Sequence, residues 1–557
     1  VLSPAFFSPA KGMTNYSAKI LNNAVGSLST QQAMIAATSN NIANVNTPGY
    51  ARREVEIQPR TTAGTTGGLA IGNGVEASQV RRVVDTFLDR QFFESTSTSS
   101  GAGVLRDFMG RVDELFNLTG DVPTVGTTMT DFFAAINDLS ADPASIELRA
   151  NVLNKAESVV ESIRSTYGEI ASLQEEADRR LPGEVQAVNT LTSQIAELNG
   201  IISSREGTGL VAADERDRRD LVVLKLAEKI GIQAQEQKDG SVNISLPGGF
   251  SLVTGTLSRN LEVTSSPSFS TGSLPPSLSG APLSHIVYDY DGGAGTAHVD
   301  LTPQLVGAGG TIGGTLSVRG YNDPTSTSAF QASGPLVEIA ARVEGLARNL
   351  LTRFNAEYLG PDRIAGGVFQ PSSGDLNGNV PSGAFALFNV TGPVTLDTDG
   401  DGIPESTDLD ATGVDNFASI LNVAITQPRQ LAAARDQSGG AATPIFPPGD
   451  GSNMVALAQL QTTASNFSTG SYSFSGTYNE AYSELVGHVG GIGSRARLTA
   501  AVAEDTMAAA RSRREEISGV SLDEEFTNLI KFQKVYEASA RLIRIAEELL
   551  DQVVNLV

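Results

Sequence analysis

Both ends of this 557-residue chain carry apolar stripes at helical spacing, and neither stripe is rich enough to stand alone. From Ile20 the residues Leu21, Val25, Leu28, Gln32, Ile35, Ser39 and Ile42 alternate by four and three, which is a heptad seam. Gln32 and Ser39 dilute it. The other faces hold Ala, Ser, Thr, Asn and Gln where a solitary surface helix would show Lys and Glu. Small neutral side chains all round describe a helix packed by neighbours on several sides. The helix ends at Asn44-Val45-Asn46-Thr47-Pro48-Gly49-Tyr50. There Pro48 disfavours a helical Thr47, and Gly49 supplies permissive backbone. Arg52–Ile57 then alternates like a strand. At the far end Leu529, Phe532, Tyr536, Ser539, Ile543, Ala546, Leu550, Val553 and Val557 make a stronger stripe, which Val535, Leu542 and Leu549 widen. Ser521 and Glu524 have the spacing of a capping box, and Asp523, Glu524 and Glu525 suit the helix dipole. Upstream, Arg495–Ile517 reads as an Ala-rich helix broken at Ser518-Gly519. Two helices of an ordinary core would explain the stripes. A sharper reading pairs the two ends with each other and with neighbouring copies, because a diluted seam buries too little surface to offset chain ordering.

Composition removes several classes of function. With 39 basic and 62 acidic residues the net charge is −23, the wrong sign for phosphate backbones or anionic lipid, so neither nucleic acid nor membrane is expected as a partner. No cysteine is present, which excludes disulfides and thiolate chemistry. No apolar run is long enough for a transmembrane helix. Val1–Lys11 lacks the layout of a cleaved secretory signal, so export, if it occurs, takes another route.

The interior divides by texture. Val104–Ile202 is helical, with stripes at Leu105–Phe116, Val152–Leu173 and Val185–Leu198, and the charges between them read as solvated faces. Leu221–Ile230 adds a short helix. Ile232–Val263 reads as hairpins, Thr264–Gly280 as a loop, His285–Val318 as strands again, and Pro335–Tyr358 as an amphipathic helix. The expected architecture is multidomain α+β, with terminal coiled-coil-like helices, a long-helix middle domain and inserted β-rich segments. In residues, 1–60 with 511–557 form a terminal helical unit. Residues 61–230 with 331–359 and 413–510 form the helical core, 231–330 a β-rich insertion, and 360–412 a further acidic, Gly-rich insertion.

One segment has metal-binding spacing. In Asp397–Asp408, carboxylates at Asp397, Asp399, Asp401, Glu405 and Asp408 and the Ile403 carbonyl occupy positions 1, 3, 5, 9, 12 and 7 of a twelve-residue loop, with Gly402 at position 6. That pattern wraps hard oxygens round Ca²⁺. Asp in place of Glu at the last position lowers the expected affinity, and a solvated Asp/Gly turn is the plain alternative. No cofactor is required by anything else in the chain. His285, His298 and His488 have no paired ligand spacing, no phosphate-binding loop occurs, and Gly309–Gly314 lacks the Lys and strand–helix context of one. No catalytic residue is assigned, and an enzyme is not expected.

Ser39-Asn40-Asn41-Ile42-Ala43-Asn44-Val45-Asn46-Thr47-Pro48-Gly49-Tyr50 resembles the signature of bacterial flagellar rod, hook and hook-associated proteins. Gly519–Glu525, Asn528-Leu529-Ile530 and the Tyr536 helix resemble its C-terminal counterpart. Asp131–Leu139, Asp142–Ser145 with Arg149, Ile195–Asn199, Asp214–Arg218, Asp239–Val242, Gly248–Val253 and Pro448–Asn453 with Ala456–Ala458 are similar to the hook–filament junction members of that family. Val1–Lys11 and roughly 360–412 lie outside the likeness.

The resemblance implies a structural subunit exported by the flagellar type III route, assembling as a ring or helical tube through its terminal helices. The partners it implies are further copies, hook protein, a second junction protein on the filament side and an export chaperone at the C-terminal region. Carried onto this chain, the assembly interface comprises Leu21, Leu28, Ile35, Ile42, Asn44, Asn46, Pro48, Gly49, Tyr50, Leu529, Phe532, Tyr536, Ile543 and Leu550. A hook or distal-rod subunit is the rival within the class, though the long helical region fits a junction protein better. A secreted calcium-dependent adhesin is the rival outside it, and would call for tandem β repeats.

Overall fold

A computed structural model describes residues 9–60, 72–116, 123–209, 211–265, 277–289, 298–321, 329–331, 333–360, 363–365, 368–370, 372–380, 386–392, 394, 396, 406–412, 414–439, 443–470 and 472–555. Helix α1 (Pro9–Ala43) leads into an antiparallel hairpin, β1 (Arg53–Pro59) with β2 (Val75–Arg82). Four helices follow: α2 (Thr86–Leu115), α3 (Val125–Ala141), α4 (Ile146–Glu206) and α5 (Ala213–Lys229). The starts of α2, α3 and α4 are locally encoded, since the side chains of Asp85, Thr124 and Ser145 accept backbone N–H groups from the first turn beyond them.

A four-stranded antiparallel sheet runs β3 (Gln233–Glu236), β4 (Val242–Ser245), β5 (Ser251–Thr254), β6 (Leu257–Ser258). A three-stranded sheet joins β7 (Leu261–Thr264), β8 (His285–Asp289) and β9 (His298–Asp300). Beyond them lie α6 (Thr302–Leu305), α7 (Gly310–Arg319), α8 (Pro335–Asn349), a π turn at Leu350–Phe354 and α9 (Asn355–Leu359). Short pairings follow: β10 (Arg363–Ala365) with β11 (Val368–Gln370), β12 (Ser373–Gly374) with the later β15 (Ala434–Arg435), and β13 (Phe388–Val390) with β14 (Leu421–Val423). Helices α10 (Ser406–Ala411) and α11 (Phe417–Ile420) precede β14. The chain ends with α12 (Ser452–Gln459), the hairpin β16 (Ser465–Thr469) and β17 (Tyr472–Gly476), α13 (Tyr478–Ser518) and α14 (Leu522–Asn555).

The 61-residue α4 is the spine. Its first half, Val152 to Ala177, is buried with α3, α8, α12 and the start of α13 in one core; its second half, Leu181 to Ala196, is buried with α5, α7 and the β3–β8 strands in another. The strand-rich 231–330 segment therefore closes its core only with help from α4 and α5. Within it, 302–305 and 310–319 are helical rather than stranded. Glycine makes that possible: a Cβ on Gly314 would lie 2.5 Å from the Gly101 carbonyl oxygen, so α7 seats on α2 at a distance that side chains forbid.

Part of the acidic insertion is core, not appendage. Phe388 is fully buried, 5.2 Å from the ring of Phe354 and 5.7 Å from that of Phe132. Asn355 donates to the Phe388 carbonyl at 2.7 Å and accepts its N–H at 3.1 Å, acting as a one-residue strand partner. Glu344, on α8 and fully buried, accepts the N–H groups of Phe417 (2.9 Å) and Ala418 (2.7 Å) and so holds the start of α11.

Candidate assembly interface

The terminal helices pair with each other, and they run antiparallel. Ser27 Oγ lies 2.9 Å from Ser539 Oγ, while at the other end Arg52 N–H donates to the Ser518 carbonyl at 2.8 Å. On α14 the stripe read from sequence is half-buried or buried at Leu529, Phe532, Tyr536, Ser539, Ile543, Ala546 and Leu550, while the side chains of Val553 and Val557 lie outside the described residues. On α1 the seam is rotated by one residue. Leu21, Leu28, Ile35 and Ile42 are half-buried, but their companion row is Ala24, Gln31 and Thr38, all buried. Val25, Gln32 and Ser39, expected in the seam, face outward, and Val25 is 51% exposed. Small side chains caused the error, because hydropathy scarcely separates Ala24, Thr38 and Ser39.

The Asn-rich turn is a hydrogen-bonded joint. Asn41 is buried; its amide donates to the Arg53 carbonyl and accepts the Arg53 N–H, both at 3.0 Å. It also accepts the Tyr50 hydroxyl at 2.9 Å, with Asn40 a second acceptor at 3.2 Å. Asn44 donates to Asn40 and accepts from Thr47. Asn46 and Pro48 are exposed, and Gly49, at φ 81°, lets the turn come down on Leu221 of α5. Burial pushes the Tyr50 hydroxyl up to about 12, against the pull of Arg53, whose guanidinium stands 4.9 Å from the ring centre. It stays a neutral donor at ordinary pH.

The start of α14 belongs to the same joint. Glu524 reaches Arg52 at 3.2 Å, where sequence reading made it a capping-box partner of Ser521, and Glu525 is buried. Sequence reading also placed the preceding helix too late. Helix α13 begins at Tyr478, behind a true capping box between Thr477 and Glu480, a Thr-x-x-Glu signal that was there to be read.

The pair is not covered on every side. Val535, Leu542, Ile545 and Leu549 form a second row on α14 and are between 37% and 50% exposed, and Phe526 and Ile530 continue the exposed apolar surface toward the joint. Asp397, Asp399, Asp401, Ile403 and Glu405 lie outside the described residues, and of the calcium set only Asp408, buried on α10, is seen. Among the described residues no group of three or more acidic or histidine side chains is arranged to hold a metal, and no helix is long and apolar enough to cross a membrane.

The described chain thus combines an antiparallel pair of terminal helices, an Asn-rich turn, a hairpin and a long-helix core. Residues 21–50 match the family described as flagella basal body rod protein, and 511–556 match flagellar basal body rod FlgEFG protein C-terminal. Between them, 109–358 match flagellar hook-associated protein FlgK helical domain. Together these matches make the chain a structural subunit of the bacterial flagellum, similar to its hook-associated proteins. It is 28% identical to flagellar hook-associated protein 1 of Escherichia coli strain K12, covering 96% of this chain and 99% of that protein. It is 26% identical to the protein of the same name in Bacillus subtilis strain 168, covering 96% and 97%. The solved flagellar hook junction protein FlgK from Burkholderia pseudomallei shares the fold, with a TM-score of 0.57 at 16% identity, over 77% of this chain and all of that one.

Proposed function

We propose that this chain joins hook to filament as one layer of a stacked axial assembly, with the outer row of α14 as the contact between copies. The observation that carries this is the row Val535, Leu542, Ile545 and Leu549, left exposed beside a seam already filled by α1. A helix with two apolar seams has one partner within its chain and room for another outside it. Further copies, hook protein below and a second junction protein above supply those neighbours. Before assembly a chaperone covers the same C-terminal surface, and the subunit leaves the cell through the flagellar export channel without a cleaved signal. The role is mechanical, with no chemistry of its own. The 397–408 segment takes up Ca²⁺ outside the cell; calorimetry showing the same heat in an Asp399→Ala/Asp401→Ala double variant would remove that part.

The test is genetic and then structural. A strain lacking the protein should build hooks and shed filament protein into the medium. Leu542→Lys with Leu549→Lys should fail to restore motility while the purified variant keeps the wild-type circular dichroism spectrum. Full rescue by the double variant refutes the assignment of the outer row.

A further inference from the structure

We propose that the charged run Asp214–Asp220, with Arg53 and Arg82, is an ionic clamp that fixes the angle between the terminal unit and the helical core. All seven residues from Asp214 to Asp220 are charged, and such a run on a helix would ordinarily be a solvated face. Here it is turned inward. Glu215, Asp217 and Arg219 are only 9%, 8% and 2% exposed.

The contacts form an unbroken chain across the joint. From β1, Arg53 Nη2 reaches Asp217 Oδ2 at 3.3 Å and also pairs with Asp214. From β2, Arg82 Nε stands 2.7 Å from Asp217 Oδ1, and Arg82 Nη2 donates to Asp220 Oδ2 at 2.6 Å. The Nε contact is close but out of line for a hydrogen bond, and neither atom has another partner, so it holds by charge alone. Asp220 Oδ1 then accepts from Arg219, whose Nη1 donates to the Gly240 carbonyl at 2.6 Å in the turn between β3 and β4. Arg216 bridges Glu206, at the end of α4, to Glu236 on β3. Both strands of the hairpin are thus tied to α5, while the Arg53 backbone is tied to Asn41 of α1. One residue, Arg53, is gripped by both units.

An apolar contact at this place would permit sliding, because burial has no direction. A guanidinium fork imposes one, because moving a buried charge off its partner leaves it uncompensated away from water. The same principle says that such a cluster contributes little net stability against an apolar replacement, so geometry is what it supplies. Burial pushes Arg82 down and the Asp220 and Asp217 carboxylates more than restore it, so it remains charged. The function of a fixed angle rests on the stacked-assembly reading: copies that present their terminal pairs at different angles cannot close one layer.

The absence of cysteine makes the test direct. Gln58→Cys on β1 and Gln186→Cys on α4 are exposed positions for nitroxide labels, the second about 30 Å along the helix from its hairpin end. Pulsed electron resonance on the monomeric full-length chain should give one narrow distance peak. Arg82→Ala and Asp217→Ala should widen it at least twofold, and Arg82→Lys should widen it less, with the circular dichroism spectrum unchanged. If either alanine variant fails to fold, Asp220→Asn provides the same comparison. A broad peak in the unmodified protein, or a peak as narrow in Arg82→Ala as in the parent, overturns the clamp. The measurement needs no assembly, so a failure of the outer-row experiment and a failure of this one are separate results.

Discussion

Glu344 gives this structure a pH dependence with a definite sign. Burial pushes its carboxyl from 4.5 up to about 7, against the Ala418 and Phe417 N–H groups and the Arg348 guanidinium that favour the charge; Asp415 adds to the rise. Arg348 is itself engaged by Asp410 at 2.6 Å and lies over the Phe417 ring, and Tyr167 on α4 is the other titratable group near the carboxyl. A carboxyl with a raised folded value stabilises the fold most below its unfolded value. That stability is lost as pH rises from about 4.5 through about 7. A rise of about 2.5 at 1.36 kcal/mol each makes the loss about 3 kcal/mol. The assay is amide exchange of the 416–423 backbone, corrected for the intrinsic effect of pH on exchange. The opening free energy should fall by about that amount between pH 5 and pH 8.5. In Glu344→Gln, which is neutral throughout, this fall should vanish, leaving a pH-independent cost of about 1–2 kcal/mol for the N–H group that the amide nitrogen faces. An equal pH slope in both proteins, or protection that rises with pH in the parent, refutes the reasoning.

Three further outcomes follow from single contacts. Phe388→Ala removes a fully buried ring from the Phe132–Phe354 cluster and should cost about 3–5 kcal/mol, read as a lower calorimetric melting temperature. Gly314→Ala sets a methyl 2.5 Å from the Gly101 carbonyl and should cost about 1–3 kcal/mol as α7 lifts off α2, measured by exchange in 310–319. Asn41→Ala strips the side-chain partner from the Arg53 N–H and the Arg53 carbonyl and leaves the Tyr50 hydroxyl only Asn40 as acceptor. Local stability should fall by about 2–3 kcal/mol, seen as faster proteolysis between residues 44 and 53.

The α14 stripe was legible because its large apolar residues stand against charged neighbours, so periodicity alone picked the buried face. The α1 seam was legible only to within one residue, since Ala24, Gln31 and Thr38 are buried by a neighbouring helix rather than by their own hydrophobicity. Helix α7 was hidden by Gly310, Gly313 and Gly314, whose poor helix propensity is outweighed by the approach they allow. The role of the helical asparagines was invisible for another reason. Asn41, Asn189, Asn199 and Asn355 each accept one residue's N–H and donate to its carbonyl, at Arg53, Leu261, Val242 and Phe388. Nothing in the spacing around an asparagine says which distant backbone it will meet.

The same limit explains why the two halves of the joint read so differently. A surface meant for another molecule must still be encoded in its own helix, so the outer row of α14 shows as a widened stripe in one sequence. A surface meant for a distant part of the same chain needs only the partner charges to arrive on folding. Arg53 and Arg82 carry no local mark because each is paired with Asp217, more than a hundred positions away, and the run that holds Asp217 does not say which arginines it will meet. The face proposed for contact between copies is apolar and periodic, and the proposed clamp within the chain is ionic and aperiodic. Reversing the chemistry would fail at both places: an unpaired buried charge at the outer row would oppose stacking, and a greasy hinge would let the angle drift.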